Sequence, residues 1–268
     1  MVNIETIESE ILKCLRGAIP ATYEEPALLV GTHNANFGNR QKAQTFLSVY
    51  REMLLCHHLL AWQEVDQEFL QIVVDSGEHY VACCTEANSR GQAIGFTVHK
   101  RLQIVDTRIH TEIQDIGNIA DLRPALRLDL RDTTTGLMLT AVVVHYKSNY
   151  GGVRAARGVR YQQATIHAES ICTDEEFTIC LGDFNQILEV DSDADPLIER
   201  GYHLMPRHNR SSTHTGGSRL DGMFVKNVPI HVKITGYKIR NFWRNNKIGC
   251  ALSDHGLLSW KIVSRRSD

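Results

Sequence analysis

Residues 177–185 read FTICLGDFN, a run of apolar residues that ends abruptly in polar ones. The run Phe177–Leu181 predicts a buried β-strand. Beyond it, Asp183 and Asn185 occupy alternate positions, so on an extended backbone both side chains would point to the same side. In that interpretation they reach one ligand together. In the alternative interpretation they only stabilise a tight turn through an Asx side chain.

The same change from apolar to polar residues occurs at three other places that lie far apart in the chain. They are THN at 32–34 with Asn36 nearby, QE at 63–64, and SDH at 253–255. A polar group at the end of a buried strand must find a partner, and the strands of one sheet end along one rim. Carboxylates, carboxamides and an imidazole collected at such a rim form a hard, oxygen-rich site suited to Mg²⁺, with a base beside it.

Many short strands and few helices are predicted for the rest of the chain. Strands are expected at Ala27–Val30, Leu59–Trp62, Tyr80–Cys84, Ala93–Val98, Leu126–Leu130, Leu137–Tyr146, Phe177–Leu181, Leu220–Val225, Val232–Tyr237 and Leu257–Val263, and helices at Arg40–His58 and Arg154–Ser170. Two mixed sheets packed face to face, with helices outside them, would hold this many strands in one domain. We therefore expect an α+β fold, a four-layer αββα sandwich.

The chain of 268 residues, 43% of them hydrophobic, is long enough to bury a sizeable core. Apolar residues recur at helical spacing between Ile4 and Leu15, and Gly17 and Pro20 end that pattern. We expect residues 1–22 to be a helical extension and residues 23–268 to form a single domain.

Charge is distributed unevenly although the formal net charge is only −2. Residues 1–141 hold 12 Lys and Arg against 18 Asp and Glu, which leaves 17 against 13 for residues 142–268. Residues 222–253 contain six Lys and Arg and no Asp or Glu. Such a segment suits a polyanion that passes the site, although a solvated basic face is the alternative.

The N-terminus and the cysteines indicate the cellular setting. The first twenty residues are acidic and amphipathic without a long apolar core, which is unlike a secretory signal, and no 18-residue apolar run offers a membrane span or anchor. The seven cysteines are odd in number, and the adjacent pair Cys83-Cys84 has neither zinc-ligand nor redox spacing. We expect reduced thiols in a protein that is cytoplasmic or otherwise intracellular, and no protein partner is inferred.

Taken in order, the polar motifs resemble those of the endonuclease/exonuclease/phosphatase superfamily, which includes deoxyribonuclease I and inositol polyphosphate 5-phosphatases. The resemblance extends over about Ala27–Val263 and includes Asn34, Glu64, His145 in HYKS, GDFN and SDH. It implies a metal-dependent phosphoric ester hydrolase. At position 33 a His stands where members of the superfamily often have a Trp, and at position 222 a Gly stands where they have a Tyr.

The resemblance implies a metal site and a catalytic group. It assigns Asn34, Glu64 and Asp254 to a bound Mg²⁺, for which Mn²⁺ can substitute. The catalytic group would promote in-line attack of water on phosphorus. Its members are His145, Asp183, Asn185, Asp221 and His255. Asp221 would orient His255, and either His255 or Asp183 would take the proton from the water.

The substrate is less closely defined than the chemistry. Arg123, followed by Pro124, resembles a phosphate-contacting Arg of the superfamily, and Arg240, Phe242, Trp243 and Arg244 combine cations with aromatic rings just before SDH. Aromatic rings between cations suit base stacking with phosphate neutralisation. We expect a nuclease that binds nucleic acid. The alternatives are a phosphodiesterase or phosphatase acting on a phospholipid or a small phosphorylated metabolite, and a non-catalytic binding module that keeps the fold.

Overall fold

The structure is a computed structural model that describes residues 9, 12, 15, 27–117, 119, 121–171, 175–206, 212–241 and 252–264, without the side chains of 237–239. The strands of this part of the chain are β1 (Ala27–Gly38), β2 (Leu59–Val65), β3 (Tyr80–Cys84), β4 (Ala93–His99), β5 (Leu102–His110), β6 (Ala125–Asp132), β7 (Met138–His145), β8 (Thr178–Asp183), β9 (His203–Leu204), β10 (Asp221–Lys226), β11 (Val232–Arg240) and β12 (Leu257–Ser264). They form two six-stranded sheets, ordered β11-β12-β1-β2-β4-β3 and β5-β6-β7-β8-β10-β9. Each sheet is mixed, because β1 pairs with β2, and β7 with β8, in parallel.

Helices cover the outer faces of the two sheets. The described helices are α1 (Arg40–Thr45), α2 (Leu47–Leu55), α3 (Gln67–Asp75), α4 (Val153–Ile166) and α5 (Asp195–Glu199), with a 3₁₀ turn at Thr111–Ile113 and a π-helical turn at His167–Ile171. Polar caps start α1 and α3: the Asn39 side chain accepts from the backbone N–H of Lys42 at 3.0 Å, and Asp66 accepts from Phe69 at 2.6 Å. None of the helices among the described residues has the length and apolar character needed to cross a membrane.

Three buried clusters show that the molecule has four layers. The largest cluster lies between the sheets and joins residues such as Val30 and Phe96 of the first sheet to Leu128 and Leu181 of the second. A second cluster packs α1–α3 against the outer face of the first sheet. A third packs α4 and the π-helical turn against the outer face of the second sheet. The expectation of an αββα sandwich is confirmed.

Several elements differ from the expectations. The strand predicted at Ala27–Val30 continues to Gly38, and the single helix predicted from Arg40 is two helices that meet at Phe46. Strand β5 and helix α3 were not predicted at all. In the N-terminal segment the structure describes Ser9, Leu12 and Leu15 as helical, and Leu15 is buried in the cluster under α1–α3.

Candidate active site

Three predicted catalytic side chains stand at the same level on neighbouring strands of the second sheet. His145 on β7 pairs with Asp183 on β8, and Asp183 pairs in turn with Asp221 on β10. The close contact between β7 and β8 depends on Gly182, because a Cβ at this position would lie 2.0 Å from the carbonyl oxygen of Val144. The glycine of GDFN therefore places the aspartate beside the histidine.

His255 completes the row from the other side of the cleft. Its Nδ1 donates to the Asp221 carboxylate, at 2.9 Å from Oδ2 and 3.1 Å from Oδ1, and its Nε2 lies 3.6 Å from Oδ2 of Asp183. Burial lowers the pKa of His255, but the charges of Asp221 and Asp183 outweigh burial and raise the pKa to about 10. The imidazole is thus held as an imidazolium at neutral pH.

Asp183 is the carboxylate on which the row converges. It is almost completely buried, and its Oδ2 lies 3.1 Å from Nδ2 of Asn34 and 3.5 Å from Nε2 of His145. Burial raises the pKa of Asp183 to about 6, while the charge of His255 opposes that rise. The carboxyl group is therefore ionised at neutral pH and has an affinity for protons in the range useful to a base.

His145 carries the opposite perturbation. Burial holds its pKa well below the usual value, and the positive charges of Arg123 and His255 lower it further. The ring is neutral at physiological pH, with Nε2 placed between Asp183 and Oε1 of Glu64, which is 3.8 Å away. Its Nδ1 is buried without a hydrogen-bond partner in the described part of the chain.

Asn185 follows Asp183 in a tight turn. Its N–H donates to Oδ1 of Asp183 at 2.8 Å, and its Nδ2 donates to the carbonyl oxygen of Tyr146 at 3.0 Å. The backbone of Asn185 is left-handed, with φ 52°. The Asx turn of the alternative interpretation is present, so the extended-chain argument does not hold for this residue.

Glu64 lies where β2 makes an irregular step against both neighbouring strands. The registers shift between Asn34 and Gly38 on β1 and between Gln63 and Val65 on β2, and Glu64 has φ 54°. Such a bulge redirects a side chain that would otherwise follow the pleat. The Glu64 carboxylate accepts at Oε2 from Gln92 at 2.7 Å.

Arg123 lies behind Gln92, which joins it to Glu64. A terminal nitrogen of Arg123 donates to Oε1 of Gln92, and its Nε is buried with no hydrogen-bond partner among the described residues. Burial lowers the pKa of Arg123, and the charges of Glu64 and Asp183 oppose this effect. The guanidinium therefore lies near the two carboxylates of the site.

Asn34 is buried between site residues of the first sheet and site residues of the second. Its Nδ2 donates to Asp183 and, at 3.3 Å, to Oε1 of Glu64, while its Oδ1 accepts from the N–H of Asn36 at 2.9 Å. In this orientation the amide acts as a hydrogen-bond donor to the two carboxylates. Direct coordination of a metal by its oxygen requires the amide to turn over.

His214 belongs to this site, although its position in the sequence did not indicate it. It forms a β-bridge with His255, the two rings meet edge to face at 4.9 Å, and Nε2 of His214 lies 3.4 Å from Oδ2 of Asp254. Its Nδ1 accepts from the N–H of Gly216 at 2.9 Å, so the proton of a neutral ring is on Nε2, facing Asp254. Burial raises the pKa of Asp254, but the hydrogen bond from His214 and the charge of His255 outweigh it and lower the pKa.

Thr213, next to His214, ties the same segment to Asp221. Its hydroxyl oxygen accepts from the N–H groups of Leu220 and Asp221, and its carbonyl accepts from Gly256. The β-bridge between His214 and His255 brings this segment to the site. No sequence motif around His214 indicates that position.

The carboxylates of Glu64 and Asp254 suit a hard divalent cation. Lys42 donates to the carbonyl oxygens of Ala35 and Asn36; burial lowers its pKa to about 8, against opposing attraction from Asp254 and Glu64. Both carboxylates therefore lie near one ammonium group. Carboxylate oxygens beside neutral amides suit Mg²⁺, which keeps several waters and needs few protein ligands.

The predicted substrate-binding residues are only partly described. Arg240 ends β11 opposite Leu257, two residues from His255, and its charge contributes to the lowered pKa of His57. Phe242, Trp243 and Arg244 lie outside the described residues. Their contact with substrate stays a prediction.

Left-handed backbone concentrates around these side chains. Six non-glycine residues of the described part have positive φ, and four of them lie at the irregular ends of β1 and β2 or just after β8: Asn36, Phe37, Glu64 and Asn185. Each such residue costs on the order of 1–3 kcal/mol, and strain of this kind clusters at functional sites.

Comparisons with known proteins identify the family to which the chain belongs. The sequence model of the Endonuclease/Exonuclease/phosphatase family matches residues 31–255, so the chain belongs to that family. Membership supports phosphoric ester hydrolysis as the reaction class, and enzymes of this family typically depend on a divalent metal. No curated protein matches the chain.

Solved structures share the fold at low sequence identity. A TDP2 from D. rerio complexed with a single-strand DNA product is 16% identical, with a TM-score of 0.68 over 90% of this chain and 100% of that chain. A mannosyl-6-phosphatase from Bacteroides thetaiotaomicron is 16% identical, with a TM-score of 0.66 over 88% of this chain and 99% of that chain. At these identities the likeness establishes the fold alone.

Proposed function

We propose that this protein is a Mg²⁺-dependent phosphodiesterase that cleaves nucleic acid within the chain, with Mn²⁺ able to replace Mg²⁺. The observation that carries the chemistry is the row of His145, Asp183 and Asp221, in register on three strands, with His255 held by Asp221. Such a row combines a carboxylate able to accept a proton with an imidazolium fixed by a second carboxylate.

In the proposed reaction Asp183 accepts the proton of the attacking water. The contacts of the pair favour this assignment, because the Asp221 carboxylate accepts from Nδ1 of His255 at 2.9 Å and, with Asp183, raises the pKa of His255, so that His255 already holds its proton. His255 then donates a hydrogen bond to a phosphoryl oxygen, and Asp221 stabilises its positive charge. His145 and Arg123 stabilise the charge that develops on phosphorus, and Asn185 fixes the turn that carries Asp183.

Glu64 and Asp254 are the residues proposed to hold the metal, with Asn34 as a third ligand once its amide has turned over. A metal bound there would neutralise the phosphate and favour its attack by water. Gln92 and His214 orient the two carboxylates through hydrogen bonds at 2.7 and 3.4 Å. Groups that orient ligands in this way commonly affect metal affinity about 10- to 100-fold.

Positive charge supports a polyanionic substrate. Residues 142–268 hold 17 Lys and Arg against 13 Asp and Glu, and residues 222–253 contain no acidic side chain. Arg240, Phe242, Trp243 and Arg244 are proposed to line the path of the strand. The single-strand DNA product in the D. rerio TDP2 structure shows that this fold accommodates a nucleic acid in at least one protein.

Cleavage of defined polymers tests the proposal. Wild-type protein and His255→Ala would be incubated with supercoiled plasmid, single-stranded DNA and RNA, each with Mg²⁺, with Mn²⁺ and with EDTA. We expect cleavage that depends on metal and is lost in the variant, because His255 belongs to the reacting row. Conversion of supercoiled plasmid to open circles identifies cleavage within the chain.

Substrates of the alternative class serve as the second arm of the experiment. The mannosyl-6-phosphatase among the similar structures makes a small phosphorylated sugar a relevant comparison, and sphingomyelin vesicles represent phospholipids. Turnover of one of these, without cleavage of any polymer, would replace the nuclease by a phosphatase or a lipid phosphodiesterase. Metal-dependent turnover of none of them would favour a non-catalytic binding module.

A further inference from the structure

Tyr150 is a strongly exposed aromatic side chain beside the active site. It is 71% exposed, more than any other aromatic residue that the structure describes. The guanidinium of Arg90 lies over its ring, 4.9 Å from the centroid, and Nζ of Lys147 lies 5.8 Å from the centroid. We call Arg90, Lys147 and Tyr150 the Tyr150 platform.

The loop that carries Tyr150 is held in place from several directions. Nζ of Lys147 donates to the carbonyl oxygens of Ser148 and Tyr150, at 3.2 and 2.8 Å. Arg160, which is 1% exposed, donates to the carbonyl oxygen of Lys147 and to Oδ1 of Asn149. Arg160 is itself anchored by the buried carboxylate of Asp193 at 2.7 Å. The ring therefore has a fixed backbone beneath it, which lowers the entropic cost of binding.

The opposite loop, which carries Arg90, is also ordered. Oδ1 of Asn88 accepts from the N–H groups of Arg90 and Gln92, at 3.0 and 3.1 Å, and Nδ2 of Asn88 donates to the carbonyl oxygen of Asp121. The side chain of Arg90 pairs with the carboxylate of Asp121. A cation on one ordered loop thus meets an aromatic ring on another.

A continuous series of side chains links the platform to the metal site. Glu64 accepts a hydrogen bond from Gln92, and Gln92 accepts one from Arg123. Beside the effect of burial, the charge of Arg90 lowers the pKa of Arg123 and the charge of Asp121 raises it. Burial lowers the pKa of Lys147, and the charges of Arg90 and Arg123 lower it further. At the platform end of this series the cations Arg90 and Lys147 face the carboxylate of Asp121, whereas Arg123 faces Glu64 and Asp183. A substrate that touches both Glu64 and Tyr150 must extend past Gln92 and Arg123.

We propose that the Tyr150 platform binds the nucleotide next to the cleaved phosphodiester in single-stranded nucleic acid, with a base stacked on Tyr150 and a flanking phosphate between Arg90 and Lys147. This inference rests on the proposed function and deepens it by naming the form of the substrate. Every base offers a face for stacking, so the platform tolerates many sequences. A lipid interface would call for an apolar rim, whereas this ring is flanked by two cations and by Ser148 and Asn149.

Binding to two oligonucleotides tests the platform. The first is a single-stranded oligothymidylate, and the second is an abasic strand of equal length, which has the same phosphates and no bases. Binding is measured in EDTA so that no cleavage occurs. Tyr150→Ala is expected to weaken oligothymidylate binding about 5- to 150-fold, the range for loss of one stacked base, and to change binding of the abasic strand less than about twofold. Tyr150→Trp, which keeps an aromatic ring, is expected to bind oligothymidylate at least as tightly as wild type.

Arg90→Ala tests the phosphate contact separately. It is expected to weaken binding of both strands and to reduce the slope of log Kd against log salt concentration by about 0.7, the value for one phosphate contact on a single strand. Tyr161→Ala and Arg108→Ala are matched controls, because Tyr161 is 47% exposed on α4 and Arg108 is an exposed ion-paired arginine. Neither control is expected to alter binding of either strand.

The outcomes separate this inference from the proposed function. Equal losses for the two strands in Tyr150→Ala, or oligothymidylate binding equal to that of wild type, would overturn the platform while cleavage by the wild-type protein still supports a nuclease. A wild-type protein that neither binds nor cleaves any nucleic acid would overturn both. Circular dichroism of each variant shows that a loss of binding is not a loss of folding.

Discussion

Asp221 holds His255 through both of its carboxylate oxygens, at 3.1 and 2.9 Å from the same imidazole nitrogen. The two residues are 34 positions apart in the chain, and each is buried. The pair therefore fixes which nitrogen of His255 faces Asp183 and the cleft. Among the groups that raise the pKa of His255, the negative charge of Asp221 has the largest effect.

Asp221→Asn removes this charge and keeps the size of the side chain. We expect kcat on a small chromogenic phosphodiester to fall about 100-fold or more, the scale of a lost acid–base contribution. Asp115→Asn, at an exposed position, is the control and should leave kcat unchanged. A kcat for Asp221→Asn within twofold of wild type would exclude Asp221 from the mechanism.

Glu64→Gln should demand more metal. The substitution removes the charge of a proposed oxygen ligand and keeps the possibility of a hydrogen bond with Gln92, so we expect the Mg²⁺ concentration for half-maximal activity to rise at least about tenfold. Glu68→Gln is the control, because Glu68 is a nearby exposed carboxylate paired with Arg40 at 2.9 Å. Isothermal calorimetry of Mg²⁺ binding gives an independent readout, and an unchanged titration would remove Glu64 from the metal site.

His214→Phe keeps the ring that packs on His255 and removes the proton that faces Asp254. We expect the Mg²⁺ requirement to rise about fivefold, which corresponds to about 1 kcal/mol for a partly exposed hydrogen bond. His214→Gln, which restores a donor, should recover part of this loss, whereas a purely structural role would be served better by Phe. His203→Phe, at an exposed position, is the matched control.

Stability should depend on pH through His57, a buried histidine remote from the proposed metal site. Burial lowers the pKa of His57 to about 4, although the hydrogen bond with the Met53 carbonyl oxygen opposes this effect. Nδ1 contacts that oxygen and Nε2 contacts the Ser259 hydroxyl, each at 2.7 Å. Between an unfolded pKa of about 6.5 and about 4 the unfolded chain binds the extra proton, so stability is present at higher pH and is lost as the pH falls.

Urea denaturation of His57→Gln checks this dependence. Between pH 7.5 and 4.5 the free energy of unfolding of the variant should fall by about 2–3 kcal/mol less than that of wild type, because the titrating group is gone. Equal losses of stability in the two proteins would show that His57 does not resist protonation in the folded state.

Sequence patterns predicted the fold class because the inner strands are continuous apolar runs. The patterns failed to predict elements in which polar or exposed residues interrupt the apolar pattern. Strand β1 continues past Val30 because Thr32 exchanges hydrogen bonds with Gln63 on the neighbouring strand, and Asn34 bonds to the carboxylates of the site. Strand β5 is at the edge of its sheet, where exposed residues such as Val105 and Ile109 obscure the alternation. Helix α3 could have been found from Asp66 followed by Phe69, Leu70 and Val73, which form a cap and one apolar face.

For the site, motifs indicated residues that end strands, and geometry added those that surround them. Gln92 and His214 have ordinary sequence neighbours and become important only because folding places them against Glu64 and Asp254. Their contacts span 28 and 40 positions, and no local spacing encodes such distances. Arg123 was identified by resemblance, but its link to Glu64 through Gln92 depends on the fold.

The left-handed residues around the site set a limit on how this protein can be made more heat-resistant. Exchanging Asn36, Phe37, Glu64 or Asn185 for glycine would relax the backbone at that point, because glycine adopts positive φ without the strain of a side chain. The same backbone angles aim Glu64 towards Gln92 and turn the chain after Asp183. Relief of backbone strain and placement of the site's side chains therefore make opposite demands at Glu64 and Asn185.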